Sequence, residues 1–227
     1  MFKRASMGFI LISVLVFILG ACSNESSKES KTETVATVNG EEILKKDYDK
    51  QLENSKAYFQ QQGMNVDDLD NQAQEEFEQS VLDQLINTKL LLQTAQKEGV
   101  TIEQSEINAE VDKMKSQFED TKKYQEALKE NQLTEKNLKE EIKDQLTLTK
   151  FFDKRIGDIT VSDDEVKSMY EQYKKQAESQ GQERLEDDFE SVKPQLEQQA
   201  IAQKKNEKIT ELIEGLRKDS EKNIKIL

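Results

Sequence analysis

VATVNGEEIL, residues 35–44, decides the fold. Val35-Ala36-Thr37-Val38 is a short β-prone run, and Asn39-Gly40 is the dipeptide of a tight two-residue hairpin. Glu41 to Leu44 then returns as a second strand. At the far end, Asn223-Ile224-Lys225-Ile226-Leu227 alternates in the same way. Its expected mate is Val35–Val38, which brings the two ends of the fold together.

Nearly everything between these zones reads as helix. Tyr48, Leu52 and Phe59 share one face of a helix over residues 45–62, which Gly63 stops before a loop over residues 64–70. A longer helix over residues 72–98 carries Phe77, Val81, Leu85, Leu92 and Ala95 at helical spacing, with Leu82, Ile86 and Leu90 widening the stripe. A stripe this wide predicts burial on more than one side, and Gly99 fits the end of the helix. Thr101 with Gln104 reads as a capping box for the next helix, whose inward residues are Ile107, Val111, Met114 and Phe118. Tyr124 and Leu128 mark a short helix ending near Asn131. Thr134 caps another, with Leu138, Ile142, Leu146 and Phe152 inward. After Gly157 and an extended link at Ile159–Val161, Ser162-Asp163-Asp164-Glu165 is a second capping box. Polar residues 174–184, with Gly181 among them, read as a hinge or loop. A last helix spans residues 186–219, which Pro194 is expected to kink or to begin. The fold class expected is mainly α: elongated and multi-helical, with an N-terminal hairpin and a pairing C-terminal strand.

The first residues are of another kind. Lys3 and Arg4 precede an apolar run from Gly8 to Leu19, too short to span a bilayer comfortably. Leu19-Gly20-Ala21-Cys22 closes that run and resembles a bacterial lipobox, whose cysteine is acylated and becomes the first residue of the mature chain. Cys22 is also the only cysteine, so no disulfide is available to the fold. The stretch SNESSKESKTET, residues 23–34, has no apolar residue and reads as a solvated tether. Residues 1–21 are thus expected to be a signal peptide and 22–34 a lipidated tether. A helical domain over 35–173, a connector over 174–184, and a closing helix and strand over 185–227 follow.

Composition removes several function classes. The chain has no histidine, so Ser-His and Cys-His catalysis and the usual zinc sites are excluded. Asp67-Asp68, Asp163-Asp164 and Asp187-Asp188 are paired carboxylates, but among 46 acidic residues such pairs arise by chance and are solvated. A net charge of −13 argues against binding nucleic acid and against lying flat on anionic lipid. Charged residues make up 35% of the chain, yet the apolar 34% is periodic, which predicts packed helices over disorder.

Several stretches together carry a resemblance. VATVNGEEI at 35–43, VLDQLI at 81–86 and QTAQKEGV at 93–100 are similar to the N-terminal domain of the SurA/PrsA family, extracytoplasmic folding factors related in shape to part of trigger factor. VSDDEV at 161–166 with Tyr170 resembles the segment leading into that family's parvulin isomerase domain. FESVKP at 189–194 resembles the segment after it, and Ile224-Lys225-Ile226 its closing strand. Between Tyr173 and Leu185, where the family usually inserts a parvulin domain of ~100 residues, stands only a polar connector. With no histidine to supply the parvulin imidazoles, prolyl isomerase activity is expected to be absent.

The resemblance implies a helical cradle on the outer face of a membrane, Gram-positive by preference. It would hold unfolded secreted or cell-surface proteins weakly, without ATP or any cofactor. Adaptable surfaces of this kind use methionine and aromatic side chains. The candidates are Tyr58, Phe59, Met64, Met114, Phe118, Tyr124, Phe151, Met169, Tyr170 and Tyr173. Phe151 is included because it and Phe152 cannot both face one side of a helix. Phe59, Phe118, Phe152 and Tyr170 fall on helical stripes and fit the core first. Two other classes are an adaptor or assembly factor for one partner, to which a homodimer would suit, and a residual prolyl isomerase.

Overall fold

The structure is a computed structural model that describes residues 33–131, 133–179 and 188–227, with side chains described except at 176–179. The leader, Cys22 and nearly all of the tether lie outside the described residues, as does most of the connector.

Strand β1 (Thr34–Val38) pairs antiparallel with β2 (Glu41–Leu44), Val38 opposite Glu41. Asn39 and Gly40 between them have φ of 51° and 86°, the two positive values that a type I′ hairpin requires. On its other edge β1 pairs antiparallel with β3 (Ile224–Ile226), with Val38 opposite Ile224. The three-stranded sheet has the order β2-β1-β3, so the last strand closes against the first.

Seven helices follow one another among the described residues: α1 (Lys45–Gln61), α2 (Asn71–Lys97), α3 (Gln104–Lys115), α4 (Thr121–Glu130), α5 (Glu135–Ile156), α6 (Asp163–Ser179) and α7 (Phe189–Ser220). Their ends are set locally. Asp70, Asp120 and Thr134 accept hydrogen bonds from the amides of Ala73, Lys123 and Asn137 at the starts of α2, α4 and α5. Gly99 ends α2 at φ 75°, its amide donating to the carbonyl of Gln96 while that of Val100 donates to Ala95. These paired bonds form a Schellman motif, and Gly63 closes α1 with the same pattern.

Three expectations are corrected. The capping box of α3 is built by Glu103 and Glu106, not Thr101 and Gln104, so the helix opens two residues later along the same pattern. α6 continues to Ser179, through residues read as loop, because Lys174 to Ser179 are good helix formers once a capped helix is under way. Of the two readings of Pro194 only the second is removed: it does not begin α7 but sits inside the helix, in the second turn.

Packing explains the wide stripe of α2, which lies against β1, α1, α5 and α7. Its middle turns bury Leu82, Leu85, Ile86 and Leu90 with Ala36, Val38 and Ile43 of the sheet. Its last two turns bury Leu91 and Ala95 with Leu148 and Phe151 of α5, and Leu212, Ile213 and Leu216 of α7 pack against them. A third cluster joins Ile107 and Val111 of α3, Tyr124 of α4, and Leu138 and Ile142 of α5. Each fully buried aliphatic or phenyl group contributes roughly 1.5–3 kcal/mol. One polar bridge ties the hairpin to α2: Asn39 Nδ2 donates to Gln93 Oε1 at 2.8 Å, and Gln93 Nε2 donates to the carbonyl of Val38 at 3.0 Å.

Candidate functional site

The ten methionine and aromatic candidates do not converge on one surface. Nine of them divide among three parts of the fold, and Phe151 lies apart, in the core beneath α7. At the end of α1, Phe59 meets Phe77 of α2 edge-on at 5.5 Å, and Tyr58 meets Phe59 at 5.8 Å. Phe59 is thereby half-buried, while Tyr58 stays 61% exposed and Met64, just past Gly63, 49%. Between α3 and α4, Met114 and Phe118 are half-buried against the third cluster, and Phe118 packs on Tyr124 at 5.6 Å. On α6, Met169 and Tyr170 are half-buried, Tyr170 meets Phe189 of α7 at 5.4 Å, and Tyr173 is 52% exposed.

Two candidates are withdrawn. Phe151 is fully buried, because α7 lies across α5 and α2 at that point and gives α5 a second covered side. Phe152, expected inward, is the half-buried one. Tyr124 is 3% exposed, sandwiched under Phe118 with the Lys115 ammonium 5.3 Å from its ring. Burial raises its phenol pKa, and its hydroxyl has no hydrogen-bond partner among the described residues.

A groove that residue spacing did not single out lies between α2, α5 and the loop joining α2 to α3. It has a volume of about 450 Å³, within the usual range for ligand-sized clefts. Thr88, Lys89 and Gln93 of α2 line one wall, and Asp144 and Thr147 of α5 the other. Leu92, Val100 and Ile102 give an apolar floor, and Glu41 of β2 closes one end. Lys89 Nζ pairs with Glu41 Oε2 at 2.9 Å, and that bond holds the Glu41 carboxyl below its ordinary range. Asp144 across the groove has no hydrogen bond or ion pair among the described residues. Burial pushes its pKa up to about 6, against the weaker pull of Lys143 and Lys89. The signal was present in the sequence: Thr88, Gln93, Asp144 and Thr147 are polar residues within stripes that bury Leu90, Leu91, Ile142 and Leu148. Among the described residues no helix is long and apolar enough to cross a membrane.

The foldase protein PrsA of Clostridium botulinum strain 657 is 28% identical over 176 residues, covering 72% of this chain and 52% of that protein. The foldase protein PrsA of Caldanaerobacter subterraneus subsp. tengcongensis is 29% identical over 173 residues, covering 72% of this chain and 51% of its own. The chain therefore spans about half the length of the curated relatives it matches. Residues 3–152, which include the hairpin and α1 to most of α5, match the model of the SurA-like N-terminal domain. By that match over more than half its length, the chain belongs to the SurA-like N-terminal domain family.

Proposed function

We propose that this protein is an extracytoplasmic holdase, tethered to the outer face of a membrane by acylated Cys22, that binds unfolded secreted proteins without ATP and without prolyl isomerase activity. The observation that carries the reading is the family match over the hairpin and helical body, joined to relatives named as foldases. Tyr58 and Met64 at the end of α1, and Tyr173 on α6, support it as large, adaptable side chains left in solvent at two parts of the fold. Two weak patches on one body hold an extended chain by effective concentration and release it as either lets go. A strongly negative body keeps the loaded complex soluble.

The test is light scattering of two or three unrelated unfolding proteins with increasing amounts of the chain. Suppressed aggregation near stoichiometric ratios is expected. Protection of a single protein would point to a dedicated adaptor, and protection of none would end the holdase reading. A proline-peptide isomerisation assay, expected to match the uncatalysed rate, tests the isomerase clause by itself.

A further inference from the structure

The groove between α2 and α5 differs from the aromatic patches, since its distinguishing group is a carboxylate. Asp144 is half-buried, with no cation in ion-pair contact among the described residues. Lys143 lines the same groove without an ion pair among the described residues, whereas Lys89 and Glu141 are engaged elsewhere. Lys89 of α2 is held by Glu41 at 2.9 Å, and its side chain is only 11% exposed. Glu141 of α5 is paired with Lys50 of α1 at 3.2 Å. Glu140 and Glu141 add negative potential at Asp144 while Lys143 and Lys89 oppose it, and Lys97 acts on Glu41. Asp47 of α1, itself half-buried, also lies in the field of Lys89. Carboxylates rarely stay half-buried without a partner, because desolvation disfavours the charged form. The apolar floor of Leu92, Val100 and Ile102 beside the carboxylate matches one ligand shape: an aliphatic stem ending in a cation.

We propose that this groove takes a lysine or arginine side chain from an extended client segment, with the cationic head on Asp144 and the methylene stem along Leu92, Val100 and Ile102. Thr88 offers its hydroxyl to the client backbone, and Thr147 on the opposite wall, whose hydroxyl donates to the Lys143 carbonyl at 2.8 Å, offers an acceptor oxygen. The proposal rests on the holdase reading and deepens it, giving a negatively charged folding factor a specific reason to prefer basic segments.

Fluorescence anisotropy with a short unstructured peptide bearing one central lysine, and the same peptide with norleucine, tests the assignment on the full chain. The lysine peptide is expected to bind roughly ten-fold tighter, the scale of one hydrogen bond to a charged group. Asp144→Asn keeps the shape and removes the charge, so it is expected to fold and to abolish that preference. The wild-type preference should also fade as the pH falls below about 6, where a protonated Asp144 no longer attracts a cation, and Asp144→Asn should show no such change. Equal binding of the two peptides, binding of neither, or a lysine preference that survives Asp144→Asn would each overturn the proposal. Aggregation assays on the same variant keep the two readings apart: client protection with no lysine preference removes the groove assignment and leaves the holdase standing.

Discussion

The two halves of α7 belong to one continuous helix and are held by different forces. Its C-terminal half packs Leu212, Ile213 and Leu216 on the cluster of Leu91, Ala95, Leu148 and Phe151. Arg217 locks it there, donating to Asp83 at 2.6 Å and to Asn87 at 3.1 Å. The N-terminal half packs on α6, where Val166, Leu196 and Ala200 are buried and Tyr170 meets Phe189. Surface pairs supply much of the remainder: Lys193 with Asp163 at 3.0 Å and Lys204 with Glu165 at 2.6 Å. Exposed ion pairs contribute little, whereas buried apolar area contributes much. The comparison teaches that helical continuity does not equalise stability, so the α6–α7 hairpin is expected to open at lower free energy than the body.

Breaking the body should produce the largest effect. Phe151→Ala is expected to cost about 3–5 kcal/mol, lowering the denaturant midpoint of the whole fold, because the phenyl ring fills the junction of α2, α5 and α7. Replacing Phe151 would affect the hairpin only through that global loss.

Asp144→Asn should instead strengthen the body and sharpen the contrast. The folded pKa of about 6 lies above the usual 3.8, so the folded state binds more protons between those values, and wild-type stability falls as pH rises through that window. At neutral pH the variant is expected to be about 1–3 kcal/mol more stable, with solvent screening allowed for. The advantage should disappear below pH 4 in urea melts.

Val166→Ala acts on the other side of the comparison. It removes two methyl groups from a fully buried site on α6, at a cost of about 1–2 kcal/mol. Amide exchange should quicken in α6 and the first half of α7 while α2 keeps its protection. Uniform acceleration would show that hairpin and body open as one unit.

The smallest effect expected is at the start of α6. Glu165 accepts from Lys204, from the Ser162 amide at 2.8 Å and from the Ser162 hydroxyl at 3.0 Å, and these bonds bring its pKa to about 2. A depressed carboxylate stabilises the fold above its ordinary value of 4.5, and that contribution is lost as pH falls toward 2. Acid should therefore loosen the hairpin over a range in which the Asp144 penalty on the body has already been relieved. Exchange measured in α6 and α5 at pH 4 and pH 2.5 checks the divergence.

Much of this architecture was legible in the order of residues. Asn39-Gly40 specified the hairpin, since both turn residues need positive φ. Gly63 and Gly99 ended their helices, and Thr134 and Ser162 stand at helix starts as their side chains require. The candidate surface was legible only in part. Spacing identified Phe59 and Tyr170 as stripe residues, and both are half-buried against an aromatic neighbour. It gave no sign that the aromatic and methionine residues divide among three places and the core at Phe151.

What the sequence determined by itself is local: turns, caps and the face each helix presents, because their hydrogen bonds and steric constraints close within a few residues. The tertiary structure alone decided which of two adjacent phenylalanines is covered. Periodicity orients a face without naming what lies against it, and only the arrival of α7 gave α5 a second buried side at Phe151. It alone decided the groove as well, since Glu41 and Lys89 stand on one side of it and Asp144 on the other, brought together from distant parts of the chain. Burial of a charged group is a property of the assembled walls, and no window of sequence contains them.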